Sequence, residues 1–195
     1  FSSNFLDRLS VIPPIKERAV SVYSGLQTDD DFRFLRLSWE CESSLLQKFW
    51  LPFAKGGEYQ PYADDLHLVV NWKNEGAEMK EFVASKYVNW SRHIKNVDRF
   101  FISGLTYSER TTSDISVRAF PKGAIFSVSG PVIQCVDDDD LFVMWAYFNC
   151  RIGRALIEMA VGSGDTSRSG TAARHYRTGI LADAPCLSLI HISEP

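Results

Sequence analysis

The stretch Gly104-Leu-Thr-Tyr-Ser-Glu-Arg-Thr-Thr-Ser-Asp-Ile-Ser-Val-Arg-Ala-Phe-Pro-Lys-Gly-Ala-Ile-Phe-Ser-Val-Ser-Gly-Pro131 decides how the chain is read. Its first part is polar: Thr106, Tyr107, Ser108, Arg110, Thr111, Thr112 and Ser113 place hydroxyls and charge beside one aromatic ring. From Ile115 the pattern alternates. Ile115, Val117 and Ala119 fall on one face and Ser116, Arg118 and Phe120 on the other, the period of a half-buried strand. Pro121-Lys122-Gly123 predicts a turn, and Ala124 to Val128 a second short strand that stops at Gly130-Pro131. The expectation is a hairpin carrying a polar loop, which can offer hydroxyls, guanidinium groups and an aromatic face to a ligand. Composition alone reads the same stretch as an ordinary hairpin with a solvated loop.

At 195 residues the chain is long enough for one good-sized domain with a core. No apolar run is long enough to span a membrane and no N-terminal charged-then-apolar segment resembles a secretory signal, so a cytoplasmic location and no membrane partner are expected. The first residue is Phe1 rather than Met, as expected of a fragment or processed product. Cys41, Cys135, Cys150 and Cys186 form no C-x-x-C pair, which points to buried reduced thiols rather than a zinc site or a disulfide framework.

A net charge of -3 counts against a free-standing nucleic-acid binder. Much of the acid is clustered in Asp29-Asp30-Asp31 and Asp137 to Asp140, however. Between them Arg92, Lys95, Arg99, Arg110, Arg118 and Lys122 outnumber Asp98, Glu109 and Asp114, so the sequence allows a locally basic face.

In chain order, Lys16 to Tyr23 predicts a short helix ending at Ser24-Gly25, and Phe32 to Trp39 a strand. Asp29-Asp30-Asp31 reads as a turn cap rather than a metal site, since no second ligand cluster accompanies it. Lys55-Gly56-Gly57 suits either a structural turn or a loop whose amides approach phosphate; it lacks the spacing of a Walker loop. Leu66 to Trp72 reads as a buried strand, with His67 a hydrogen-bonded core or edge histidine, and Asn74 to Ser91 as an amphipathic helix. The four aspartates from Asp137 start a helix whose apolar positions run from Leu141 to Met159 and which ends at Gly162-Ser-Gly164. Gly162 to Gly170 reads as a surface loop. His175 with Asp165 and a serine suggests a hydrolytic triad only on paper, because no Gly-x-Ser-x-Gly elbow accompanies them.

Three segments, in order, resemble motifs of large adenine-N6 DNA methyltransferases of bacterial restriction–modification and phage-defence systems, the type IIG enzymes and the BREX-type methyltransferases. Gly25-Leu-Gln-Thr-Asp-Asp-Asp-Phe-Arg-Phe34 is similar to GL-x-TGDD-x-RF, with Asp29 where that motif has Gly. Trp50-Leu-Pro-Phe-Ala-Lys-Gly-Gly-Glu-Tyr59 and Leu66 to Lys73 resemble PF-x-KGG-x-Y…W-x-x-(D/N)-G. Gly104 to Pro131 resembles GLTW-xx-RT…S-x-R-x-LP-x-G-x-IF…GP, with Tyr107 in place of Trp.

The resemblance implies a DNA-recognition fragment of a site-specific adenine methyltransferase, from its C-terminal target-recognition part. The implied fold is α+β, mixed or antiparallel strands with flanking helices. Residues 25–186 would be an incomplete target-recognition-like domain, 1–24 a linker or partial element, and 187–195 the read-through of a sequencing adapter. Ile12-Pro-Pro-Ile15 lacks the amide and ring of the Asn-Pro-Pro-Tyr loop that holds a flipped base, and no Gly-rich loop for S-adenosylmethionine is visible. That cofactor and the catalytic residues are therefore expected in a missing methyltransferase domain, which with double-stranded DNA would be this region's partner.

The implied DNA contacts are Arg110 and Arg118 to base edges, Lys55, Thr111, Thr112, Ser113 and Lys122 to phosphate, and Tyr107 stacking or wedging beside the flipped base. The set requires Lys55, Arg110, Arg118 and Lys122 to share one concave face. The alternative is a non-catalytic protein-interaction or scaffold domain of a defence complex, which the acidic total charge favours.

Overall fold

The computed structural model describes residues 11–18, 20–161 and 173–186. The strands are β1 (Val20–Tyr23), β2 (Leu35–Leu37), β3 (Trp50–Ala54), β4 (Leu68–Asn71), β5 (Gly104–Tyr107), β6 (Arg110–Thr111), β7 (Val117–Phe120), β8 (Ile125–Phe126), β9 (Val132–Cys135) and β10 (Arg174–His175). The helices are α1 (Asp31–Phe34), α2 (Ala77–Lys86), α3 (Asp138–Asn149), α4 (Arg151–Val161) and α5 (Thr178–Asp183). The class is α+β, as the resemblance implies.

One sheet, ordered β1-β9-β5-β7, is antiparallel throughout. A second, β2-β4-β3-β8, is mixed, because β8 joins β3 in parallel. The first sheet separates two cores. Val20, Leu105, Tyr107, Val117 and Ile133 face a cluster built with α3, α4 and α5. Phe120 and Val132 face the other way, onto Phe34, Phe53, Val70, Phe126 and the α2 residues Met79 and Val83.

With both faces of the first sheet covered, β7 does not show the half-buried alternation expected of it. Ser116, Arg118 and Phe120, on the face expected to be solvated, are 4%, 1% and 2% exposed, while Ala119 is exposed. The expected pairing across Pro121-Lys122-Gly123 is also absent; the polar loop is carried instead by the antiparallel β5–β7 pair. The turn at Pro121-Lys122-Gly123, with Gly123 at φ +86°, carries the chain from β7 in the first sheet to β8 in the second. Local alternation cannot report which sheet a strand joins.

Other differences have similar causes. Lys16 to Tyr23 is a single 3-10 turn (Ile15–Arg18) followed by β1, because pairing with β9 overrides a weak helical pattern. Ile12-Pro-Pro-Ile15 docks on the far end of the described chain: Ile15 donates to the Ala184 carbonyl (3.0 Å) and Cys186 donates to that of Pro13 (2.9 Å). The expected strand Phe32–Trp39 is a one-turn helix, α1, capped by Asp30, then β2 and a 3-10 turn. His67 is exposed and lies against Trp39.

The Asp137 side chain caps α3 by accepting from the Asp139 amide (2.9 Å), as expected for acid at a helix start. The single helix expected from Leu141 to Met159 is two. Cys150 takes an extended conformation, and its sulfur accepts from the Gly153 amide (3.2 Å) at the start of α4. A Cβ at Gly153 would stand 2.0 Å from the Tyr147 carbonyl, so only glycine allows α4 to pass this close to the end of α3. Of the cysteines only Cys186 is buried; Cys41 and Cys135 are half-buried and Cys150 is exposed.

Gly25 is a second close approach, with a Cβ placed 1.9 Å from the Phe126 carbonyl. Gly25→Ala is expected to destabilise by about 3 kcal/mol in urea unfolding, since backbone rather than a movable side chain must shift. Gly123→Ala, with open space around its Cβ, is expected to cost only about 1 kcal/mol, from its left-handed backbone alone.

Candidate nucleic-acid interface

The three motif segments, far apart in sequence, are sewn together at residues 125–130. The Leu26 amide donates to the Phe126 carbonyl (3.0 Å), and the Val128 amide returns a bond to Leu26 (3.1 Å). Ser127 donates to Ala54 (2.9 Å) at the end of β3, and Glu109 to Ser129 (2.9 Å). Gly130 lets the chain pass the Lys55-Gly56 loop, since its Cβ would fall 2.6 Å from the Gly56 amide nitrogen.

Around this seam lies a continuous run of clefts. A cleft of about 540 Å³ is bordered by Thr28, Asp29, Asp30, Asp31, Lys55 and Ser127 to Ser129. It shares Lys55 and Ser129 with one of about 280 Å³ that adds Gly56, Gly57, Ser108, Glu109 and Arg110. That in turn shares Gly57 and Arg110 with a third, about 610 Å³, lined by Glu58, Tyr59, Thr111, Thr112, Ser113 and Ala173.

The structure brings some of the sequence-predicted residues together and separates others. Lys55, Arg110, Thr111, Thr112 and Ser113 all line this run. Arg110 is exposed and its guanidinium has no ion pair or hydrogen bond among the described residues. Its backbone is fixed by the β6–β10 ladder, where Arg110 pairs with His175. Ser113 donates its amide to the Thr111 hydroxyl (3.0 Å), closing the loop tip.

Lys122 is elsewhere. β5 and β7 pair with Gly104 opposite Phe120, so Lys122 leaves the ladder at the Gly104 end and Arg110 leaves at the Tyr107 end. Tyr107 is fully buried in the helix-side core; burial, with Glu109 adding to it, pushes its phenol far above the ordinary value. As placed, it presents no ring to solvent.

Arg118 lies beneath the cleft rather than in it. Its Nη1 donates to Asp64 Oδ2 (2.8 Å) and to the Glu58 carbonyl (3.4 Å), and its Nη2 donates to the Ser108 hydroxyl (3.0 Å). Ser108 Oγ in turn accepts from the Gly57 amide (2.9 Å) and donates to the Gly57 carbonyl (2.8 Å). The guanidinium thereby pins the Gly57-Glu58 loop to the end of β5. Burial lowers its affinity for the proton and Asp64 opposes that, so the cation is held by a matched acid. The shared concave face of Lys55, Arg110, Arg118 and Lys122 is therefore not formed; the cleft keeps Lys55 and Arg110.

Of the wider basic excess, Arg99 is paired to Asp98 (3.1 Å) and lies over Tyr23. No local pattern marks Asp64 or Ser108 as partners of Arg118, because both lie in segments outside β7. Asp29 takes a left-handed backbone, φ +57°, at the position where the resembled motif has Gly. Its carboxylate is buried 2.6 Å from His93 Nδ1, a contact glycine could not make. His175 faces Glu109 at 3.2 Å, and Asp165 lies outside the described residues.

Asp31 binds Lys55 and Thr28 across the first cleft. Burial alone would raise its carboxyl; the hydrogen bonds from Lys55 and Thr28 outweigh that and hold it below its ordinary value. No group of three or more potential ligands able to hold a metal ion occurs among the described residues. No helix among them is long and apolar enough to cross a membrane.

No protein-family model matches the chain. Its similarity is to the adenine-specific methyltransferases. It is 30% identical over 146 residues to adenine-specific methyltransferase BrxX of Escherichia coli O9:H4 (strain HS), covering 71% of this chain and 11% of that protein. It is 24% identical over 131 residues to adenine-specific methyltransferase PglX of Lacticaseibacillus casei (strain Zhang), covering 66% of this chain and 11% of that one. The chain is thus a distant homologue of a segment of these enzymes and spans about a tenth of their length.

Two outcomes follow from the geometry. Asp64→Ala, which strands a buried guanidinium, is expected to lower stability to urea by about 3 kcal/mol, and Asp64→Leu combined with Arg118→Met to recover most of the loss. The Asp31 carboxyl titrates lower in the folded than in the unfolded chain, so its stabilisation is complete above the unfolded value of about 3.9 and is lost as pH falls through the folded one. Urea midpoints measured from pH 6 downward should therefore fall less steeply in acid for Asp31→Asn than for the parent.

Proposed function

We propose that this region is a DNA-recognition module of an adenine-specific methyltransferase of a phage-defence system, holding duplex DNA while residues outside this chain flip and methylate an adenine. The observation that carries the reading is the convergence of the three motif segments on one run of clefts containing an unpaired guanidinium, Arg110, and three loop hydroxyls. Similarity to segments of BrxX and PglX supports the same parentage. In this reading Arg110 faces base edges, and Lys55, Thr111, Thr112 and Ser113 face phosphate. Arg118 and Tyr107 form the support under the cleft, and Lys122 stands apart from it.

S-adenosylmethionine does not fit the described residues. A nucleotide-type site needs a parallel strand, a Gly-rich turn and a helix in succession. Here the parallel β3–β8 pairing is short and the chain after β8 runs through Gly130-Pro131 into another strand, β9. No step through the cofactor is assigned to this chain.

A protein-docking module is the second reading, favoured by Phe142 and Ile152, 62% and 61% exposed on α3 and α4. Duplex binding followed by fluorescence anisotropy separates the two. Affinity should fall steeply between about 50 and about 200 mM salt, Lys55→Ala should reduce the slope of log affinity against log salt by about 0.9, and Lys122→Ala should leave it unchanged. A folded chain that binds no duplex at about 50 mM salt overturns the DNA reading in favour of docking.

A further inference from the structure

Most carboxylates around the clefts already have a partner. Asp31 is bound by Lys55, Asp29 by His93 (2.6 Å), Glu109 by His175 (3.2 Å) and Asp114 by Arg174 (2.9 Å), while Asp30 caps α1. Glu58 differs. It is exposed, it lines the cleft of about 610 Å³, and its side chain has no hydrogen bond or ion pair among the described residues.

The backbone that carries it is nevertheless fixed. The residue before it, Gly57, is bound through both amide and carbonyl to Ser108 Oγ (2.9 and 2.8 Å). Its own carbonyl accepts from Arg118 (3.4 Å), and the next side chain, Tyr59, is held through its hydroxyl by Arg154 (2.8 Å). A carboxylate on a pinned loop is thus presented to the same cleft as the unpaired Arg110.

Against DNA, a bare carboxylate repels phosphate, so it can face the duplex favourably only opposite an exocyclic amino group, cytosine N4 or adenine N6. The second group in the cleft chooses between them. If Glu58 met adenine, Arg110 would find only the single O4 acceptor of thymine; if Glu58 met cytosine, Arg110 would find the O6 and N7 acceptors of guanine that its fork fits.

We propose that Glu58 and Arg110 together read one C·G base pair from the major groove, Glu58 accepting from the cytosine amino group and Arg110 donating to guanine. The assignment rests on the DNA-recognition reading above. It makes Glu58 a specificity residue at the expense of overall affinity, since its charge weakens every other duplex.

The test is selection of bound duplexes from a randomised pool by the full 195-residue chain, followed by affinities for the selected site and for variants at each position. The parent should prefer C·G at one position by at least about fivefold. Glu58→Ala should abolish that preference while binding unrelated duplexes more tightly, and Arg110→Ala should abolish the preference at the same position. Because Glu58 is exposed, thermal unfolding of Glu58→Ala should match the parent. Absence of any duplex binding would refute the DNA reading itself. Binding with no base preference, with a preference unchanged in Glu58→Ala, or with A·T chosen at the Glu58-dependent position would overturn this inference alone.

Discussion

A single buried cation organises the site. Arg118 is 1% exposed, and a guanidinium removed from water is tolerated only where acceptors and an opposite charge replace the solvent. Asp64, Ser108 and the Glu58 carbonyl do so for its two terminal nitrogens, and each belongs to a different stretch of chain. Satisfying one charge therefore fixes the relative position of the Gly57-Glu58 loop, the end of β5 and the segment before β4. The same three-way closure recurs in the backbone, where residues 125–130 bond to Leu26, Ala54 and Glu109. Together these contacts explain why segments separated by dozens of residues carry a joint signature.

The first sheet sets the other constraint. With helices on one face and the second sheet on the other, β5, β7 and β9 are covered on both sides. Several of their polar side chains find partners inside the protein, whereas the Tyr107 hydroxyl and Arg118 Nε have none among the described residues. Thr106 donates to the Pro131 carbonyl (3.0 Å), and Gln134 reaches the carbonyls of Arg99 and Ile102 (3.1 and 3.3 Å). The outer edge of β7 is closed by Tyr62, whose amide donates to Val117, and by Asn149, whose side chain donates to the same carbonyl (2.8 Å). An edge so covered offers no free ladder to another chain.

Much of the class of fold was legible. The aspartate-capped α3, the strand near Leu68 to Asn71 and the helix around Ala77 to Lys86 each carry their own local signal, a cap or a period. What could not be read depends on partners supplied from elsewhere. Ser116-Val-Arg-Ala-Phe120 alternates as a surface strand does, and nothing in it announces a second core on its polar-looking face. Arg118 and Tyr107 belong to the implied contact set, but both are buried beneath the cleft, and nothing local to either residue signals that burial. The break at Cys150 is hidden because apolar positions continue through it; the informative residue is Gly153, which falls inside the expected single helix, where glycine is unfavourable, and in the first turn of α4.

Support and contact surface are carried by different atoms. Arg118, Ser108 and Asp64 hold the frame from below through their side chains, whereas Glu58, Tyr59 and Thr111 to Ser113 line the cleft. Exchanging those cleft-lining side chains leaves the buried cation and its acceptors in place. Such a division lets lineages diversify what the cleft meets, substitution by substitution, without passing through unfolded ancestors.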